Sequence, residues 1–220
     1  MTSYRFVEKL CASCSHKNTV KFLSSTNALG SYDLDLRPPP MERFTMECWI
    51  ENCINCGFVW HDLEALDLDF PALADVMSSP KWSELYPNRS GKLSIDMERF
   101  ALLRSALSTP LNEALAYQYA AWAADDEFDD VASRAYRLKA VAAFQKTLAL
   151  NGTDHPQSPK ISAITSDLLR VSGNFIQCLE FAEYWIKFSN DQKISKILSY
   201  QIRKAENSDS KIYKVADALD

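Results

Sequence analysis

Two Cys-x-x-Cys pairs, Cys11-Ala-Ser-Cys14 and Cys53-Ile-Asn-Cys56-Gly57, constrain this chain more than any other feature. That spacing lets a tight turn present both sulfurs to one ion while backbone N–H groups face the thiolates. Two such turns complete a tetrahedral four-sulfur shell with no open position, which is the arrangement zinc prefers. Gly57 suits the positive φ that the residue after the last sulfur often adopts. The stretch between Cys14 and Cys53 is longer than a minimal finger and leaves room for strands and a loop. The expectation is one structural Zn2+ held by Cys11, Cys14, Cys53 and Cys56, with a rubredoxin-like iron site as the alternative, since iron takes the same ligands. His16, Cys48 and His61 lie close enough in sequence to substitute for a cysteine, but none has a better-spaced partner. Cys178 falls on an apolar helical stripe and reads as a core residue.

The cysteines belong to a reducing compartment. The first ten residues carry charges and lack the apolar segment of a secretory signal, and no run approaches the ~18–20 apolar residues of a membrane span. In that setting, Cys-x-x-Cys points to metal or redox chemistry rather than a disulfide frame. No βαβ pattern surrounds either pair, which argues against a thioredoxin-like dithiol. The expected location is cytoplasmic, with no membrane partner.

Three zones follow along the chain. Residues 1–61 hold five of the six cysteines and β-type runs at Thr19–Leu23, Phe44–Ile50 and Gly57–Trp60. Between the first two runs, the segment from Ser31 to Pro40 ends in three prolines and reads as a loop or arm. Residues 62–93 form an acidic connector, broken by Pro71, Pro80 and Pro87 and ending in the loop Asn88-Arg-Ser-Gly91. Residues 94–220 read as about seven helices. Apolar residues recur at helical spacing in Met97, Phe100, Leu103 and Leu107, and again in Ile161, Ile164, Leu168 and Val171. Thr109-Pro110 is a helix start signal, and Gly173 a stop. Small residues at Cys178 and Ala182, with a weaker echo near Ala132, suggest tetratricopeptide-like hairpins or, equally, a generic helical bundle, since the echoes lie 46 residues apart rather than the regular 34. The fold class is therefore α+β, mainly α: a small N-terminal zinc-ribbon module packed on an all-α region.

These residues resemble a family of bacterial proteins that join an N-terminal zinc ribbon to a tetratricopeptide-like helical region, the group catalogued as domain of unknown function 2225. The likeness is carried by Asp33-Leu-Asp-Leu-Arg37-Pro38 through Arg43, Trp49 and Cys53 to Phe58, by Ala121-Trp122-Ala-Ala-Asp125-Asp126, and by Ala135-Tyr-Arg137-Leu-Lys-Ala140. It spans about residues 11 to 145. The family's knuckles usually read Cys-Pro-x-Cys, whereas Ala12 and Ile54 stand here, and Trp60 and His61 replace smaller residues. Neither departure removes a sulfur. The resemblance implies the architecture and carries no activity.

Asp33, Asp35 and Arg37 form an alternating motif beside the proline arm. They are either a recognition element or a tie between ribbon and helices, with Arg37 pairing carboxylates on the body. The acidic cluster Asp125, Asp126, Asp129 and Asp130 reads as a solvated turn, or as a site for a cation or basic partner. The chain has no phosphate-cradling glycine loop and no nucleophile elbow, and its three histidines are scattered. With 24 Lys and Arg against 29 Asp and Glu, its net charge of −5 argues against a dedicated nucleic-acid binder. Residues 1–61 are balanced at six against six, so a basic patch from Lys9, Lys17, Lys21 and Arg43 would be needed for that function. The expectation is a non-catalytic adaptor that binds a protein or peptide through its helices. A nucleic-acid-associated ribbon is the first alternative, and an enzyme whose site is dispersed in sequence is the second.

Overall fold

A computed structural model describes residues 1–85, 91–107 and 109–220. Pro87 and the expected loop at Asn88-Arg-Ser90 lie outside the described residues. The chain opens with an antiparallel hairpin of β1 (Ser3–Leu10) and β2 (Lys17–Ser25), whose turn is the first Cys-x-x-Cys. A second, short hairpin, β3 (Glu51–Asn52) with β4 (Val59–Trp60), has the second Cys-x-x-Cys as its turn. Helices occupy the rest: α1 (Phe70–Met77), α2 (Pro80–Leu85), α3 (Leu93–Leu107), α4 (Pro110–Asp126), α5 (Asp130–Asn151), α6 (Ser158–Val171), α7 (Phe175–Ile186), α8 (Gln192–Glu206) and α9 (Val215–Leu219). The α+β, mainly α class read from the sequence is the observed one.

The run Phe44–Ile50 is not a strand. Arg43–Cys48 forms a 3-10 turn, in which the N–H of Arg43 donates to Pro39 O (3.1 Å), that of Thr45 to Glu42 O (2.9 Å) and that of Trp49 to Met46 O (3.0 Å). The prolines before it deny the donors a strand would need and deliver the chain into a tight turn. Thr45 then serves as a local hub, since its hydroxyl donates to Glu42 O (2.7 Å) and accepts from Trp49 Nε1 (3.0 Å). β-type residues thus serve packing here: Thr45 and Met46 are buried, and Trp49 meets Tyr119 and Trp122 edge-on at 5.2 and 6.3 Å.

From α3 to α8 each helix packs on its successor, and α6 also packs on α8. The three-residue connections 127–129 and 172–174 turn the chain back on itself. At the first, Asp129 caps α5 by accepting from Ala132 N (3.0 Å), and at the second Gly173 takes φ 74° after α6. Cys178 and Ala182 are fully buried, and the Cys178 thiol donates to Ser166 O across α6 (3.2 Å), so small residues mark a close helix approach.

Ribbon and helices share one continuous core, which runs from Cys11 and Val20 to Ala205 and Ala218. Its seam is aromatic and cationic. Phe58 stacks near Trp60 (6.4 Å), Trp60 meets Phe100 of α3 edge-on (5.4 Å), and His61 meets the same ring at 4.6 Å. Fully buried Arg99 of α3 donates to Gly57 O in the second knuckle, pairs with Asp96 (2.7 Å) and lies 4.9 Å over Trp82. The second Cys-x-x-Cys turn is therefore held against the helical body by a charge-assisted bond.

Candidate metal centre

The two knuckles fold alike because each is the turn of a hairpin. In the first, Cys11 N donates to His16 O (2.9 Å) and Ser15 N to Cys11 O (2.7 Å). In the second, Cys53 N donates to Phe58 O (2.8 Å) and Gly57 N to Cys53 O (2.9 Å). Both turns close through a left-handed residue, Ser15 (φ 58°) and Gly57 (φ 76°). Glycine adopts that conformation freely, whereas Ser15 bears a cost of about 1–2 kcal/mol.

The turns face each other, and all four sulfurs lie within 4.8 Å of one another. Cys11 Sγ is 3.7 Å from Cys56 Sγ and Cys14 Sγ is 3.6 Å from Cys53 Sγ. Metal–sulfur bonds of ~2.3 Å in a tetrahedron imply an edge of about 3.8 Å, so the cluster matches the size such an ion requires. A disulfide would draw two sulfurs to about 2.05 Å, and all six cysteines are free thiols. Cys11 and Cys53 are buried, while Cys14 and Cys56 are half-buried. His16, Cys48 and His61 stand outside the cluster. His61 turns its Nδ1 to Trp49 O (2.8 Å).

Around the sulfurs, the chain supplies donors that favour thiolates. Asn18, which is buried on β2, bridges the two knuckles. Its Nδ2 donates to His16 O (2.8 Å) and to Cys53 Sγ (3.6 Å), and its Oδ1 accepts from Ile54 N (3.0 Å). Asn55 Nδ2 donates to Cys14 Sγ (3.5 Å). Burial opposes ionisation of Cys14, but Asn55, the His16 amide and the neighbouring thiols outweigh it and bring the group down to about 6. Burial pushes Cys56 up to about 11 and drives Cys11 well above the usual thiol range, against the pull of nearby amides. These donors thus pull Cys14 toward the thiolate, and a bound cation would displace protons from thiols that still carry them.

A second brace lies just outside. The buried Glu51 of β3 accepts from Lys9 of β1 (2.7 Å) and from Leu63 N (2.8 Å), joining both hairpins to the connector. Sequence reading missed Asn18 and Glu51. Neither carries a spacing signal, because their partners lie up to 42 residues away.

The proline arm lies away from the sulfurs, against α4 and the C-terminal segment. Leu34 N donates to Tyr213 O and Val215 N to Tyr32 O, both at 2.8 Å, and Asp33 bridges to Lys214. Asp33, Asp35 and Arg37 are all buried. Burial pushes the Asp33 carboxyl up, against the pull of Arg43 at 2.6 Å. Asp35 Oδ2 accepts from Trp122 Nε1 (2.6 Å) and Oδ1 from Arg37 N (3.1 Å), while Gln118 donates to its carbonyl. Arg37 reaches Asp126 (2.6 Å) and Asp125 (3.8 Å). Asp125 also takes both ends of the buried Arg137 guanidinium, at 3.1 and 2.5 Å. Much of the acidic turn is therefore engaged with basic groups of its own chain. Cys178 is held up at about 12 by burial and by Asp167, as befits an inert core thiol.

Comparison with protein-family models, curated proteins and solved structures finds no match to the chain.

Proposed function

We propose that the chain is a non-catalytic scaffold in which Cys11, Cys14, Cys53 and Cys56 hold a structural zinc ion and the helical region docks a protein or peptide. The observation that carries this reading is the convergence of four sulfurs into a closed shell at the seam between ribbon and helices. A four-thiolate shell leaves no position for a reacting water, so it supports structure rather than hydroxide chemistry. A d10 ion without geometric demands of its own suits ligands placed by two hairpin turns. Iron is the alternative occupant. The tetratricopeptide-like character and the resemblance to the ribbon-plus-helix family belong to the same reading, supported by helices that stack successively in sequence.

Two further observations weigh on the alternatives. Each cation of the candidate nucleic-acid patch is paired within the chain: Lys9 with Glu51 and Asp62, Lys17 with Glu8, Lys21 with Glu47 and Arg43 with Asp33. Phosphate binding would have to break those pairs. The cysteine cluster is the one group suited to hold a metal among the described residues, and no histidine joins it. No helix among the described residues is long and apolar enough to cross a membrane. Affinity capture with the metal-loaded chain should recover a protein partner reproducibly at physiological salt. Reproducible turnover in a metabolite screen with no partner recovered would overturn the proposal.

A further inference from the structure

The scaffold reading leaves open where a partner sits, and the helical region has one surface suited to answer that. Helices α5 and α7 both pack on α6 and leave a groove between them. Two adjoining hollows, of ≈ 450 and ≈ 440 Å³, share Gln145 and Phe181 and form its length. From α5 the lining residues are Leu138, Val141, Ala142, Gln145, Leu148 and Ala149, one continuous face at helical spacing. From α7 they are Gln177, Glu180, Phe181, Tyr184 and Trp185, again one face, and Leu169 of α6 contributes to the floor. Val141, Leu148 and Trp185 are buried at its base, while Leu138 (37% exposed) and Tyr184 (49% exposed) stand on its rim. The lined stretch of α5 runs about 17 Å, three helical turns.

We infer that this groove, a refinement resting on the scaffold reading, receives an amphipathic α-helix of a partner protein, anchored by apolar side chains and carrying one basic residue opposite Glu180. Three arguments select that occupant. Both walls are helix faces that offer side chains and no strand edge. An extended peptide would find no strand edge there and only scattered side-chain groups such as the Gln145 and Gln177 amides for its backbone, whereas a helix satisfies its own groups. Glu180 is the sole charged residue lining the two hollows, and among the described residues it has no ion-pair partner. A lone unpaired carboxylate beside an apolar floor complements a cation. A second copy docked groove against groove would offer Glu180 no cation, because no Lys or Arg lines either hollow.

The test is selection from a displayed library of stapled 14-residue helices, randomised on one face and presented to the metal-loaded chain. Enriched sequences should carry apolar residues one turn apart and a Lys or Arg beside them. Binding of the best peptide, followed by fluorescence anisotropy, should weaken at least about fivefold in Glu180→Lys, the scale of one ion pair. Replacing the peptide's basic residue by Glu should restore binding to Glu180→Lys. Tyr184→Ala, a rim change, should also weaken it, with unchanged circular dichroism. Enrichment without a basic bias, or peptides indifferent to both substitutions, would overturn the inference. Sedimentation showing a dimer dispersed by Tyr184→Ala would overturn it in favour of self-association. If a captured natural partner is retained by both variants, the groove assignment fails and the scaffold reading stands. Absence of any partner, together with turnover, fails the scaffold itself.

Discussion

Replacing Asp35 by Ala separates the two roles open to the proline arm. The Asp35 carboxylate is buried and accepts from Trp122 Nε1 at 2.6 Å and from the Arg37 amide at 3.1 Å. Removing it strands two donors away from water, at about 1–3 kcal/mol each, so Asp35→Ala should cost about 2–6 kcal/mol. With a urea slope of roughly 2–3 kcal/mol/M, the unfolding midpoint should fall by about 0.7–3 M. Tryptophan fluorescence is the direct assay, because Trp122 loses its partner and Trp49 packs edge-on against it. Metal content should remain that of the wild type, since no arm residue touches a sulfur. A midpoint within about 0.2 M of wild type would refute the reasoning. Paired with loss of partner binding, that result would make the arm a recognition element instead of a tie.

Three other outcomes follow from the same contacts. Asn18→Ala should leave the fold intact but speed zinc transfer to a competing chelator by about tenfold or more, because it removes the bond that joins the two knuckles; unchanged transfer would show the brace is unimportant. Cys48→Ser should keep full metal content on elemental analysis, whereas Cys56→Ser should lose it and loosen the ribbon. The buried Asp167 carboxyl is pushed up to about 6 by burial, against the pull of Arg170. Its folded form therefore binds a proton more readily than the unfolded chain, so wild type should lose stability relative to Asp167→Asn as pH rises from about 4 to about 6. Parallel stability–pH curves for the two proteins would contradict this.

Much of the architecture was legible because it rests on local signals. The paired cysteines, the positive φ at Gly57, the Thr109-Pro110 start and the Gly173 stop all act within a few residues, and each falls where the sequence indicated. Thr109 marks the start of α4 without a side-chain cap bond, so the proline at the first helical position carries that signal. Phe44–Ile50 shows the limit of propensity: its Thr, Met, Trp and Ile serve packing, and the preceding prolines decide the backbone. Strand β1 was missed because Phe6 and Leu10 face solvent, so its residues lack a buried alternation and gain their strand form from pairing with β2. The partners of Asp35 in the arm were invisible for a different reason. Trp122 and Gln118 lie 87 and 83 residues beyond Asp35, and no local pattern records such a pairing.

The central claim is the four-sulfur centre, and X-ray absorption on the protein purified without added metal tests it most directly. The account predicts one zinc per chain, with an edge spectrum fitted by four sulfurs at about 2.3 Å and no nitrogen or oxygen ligand. Stoichiometric iron would change the ion and point to electron transfer. A metal-free protein, or a shell of mixed sulfur and oxygen ligands, would contradict the closed structural site.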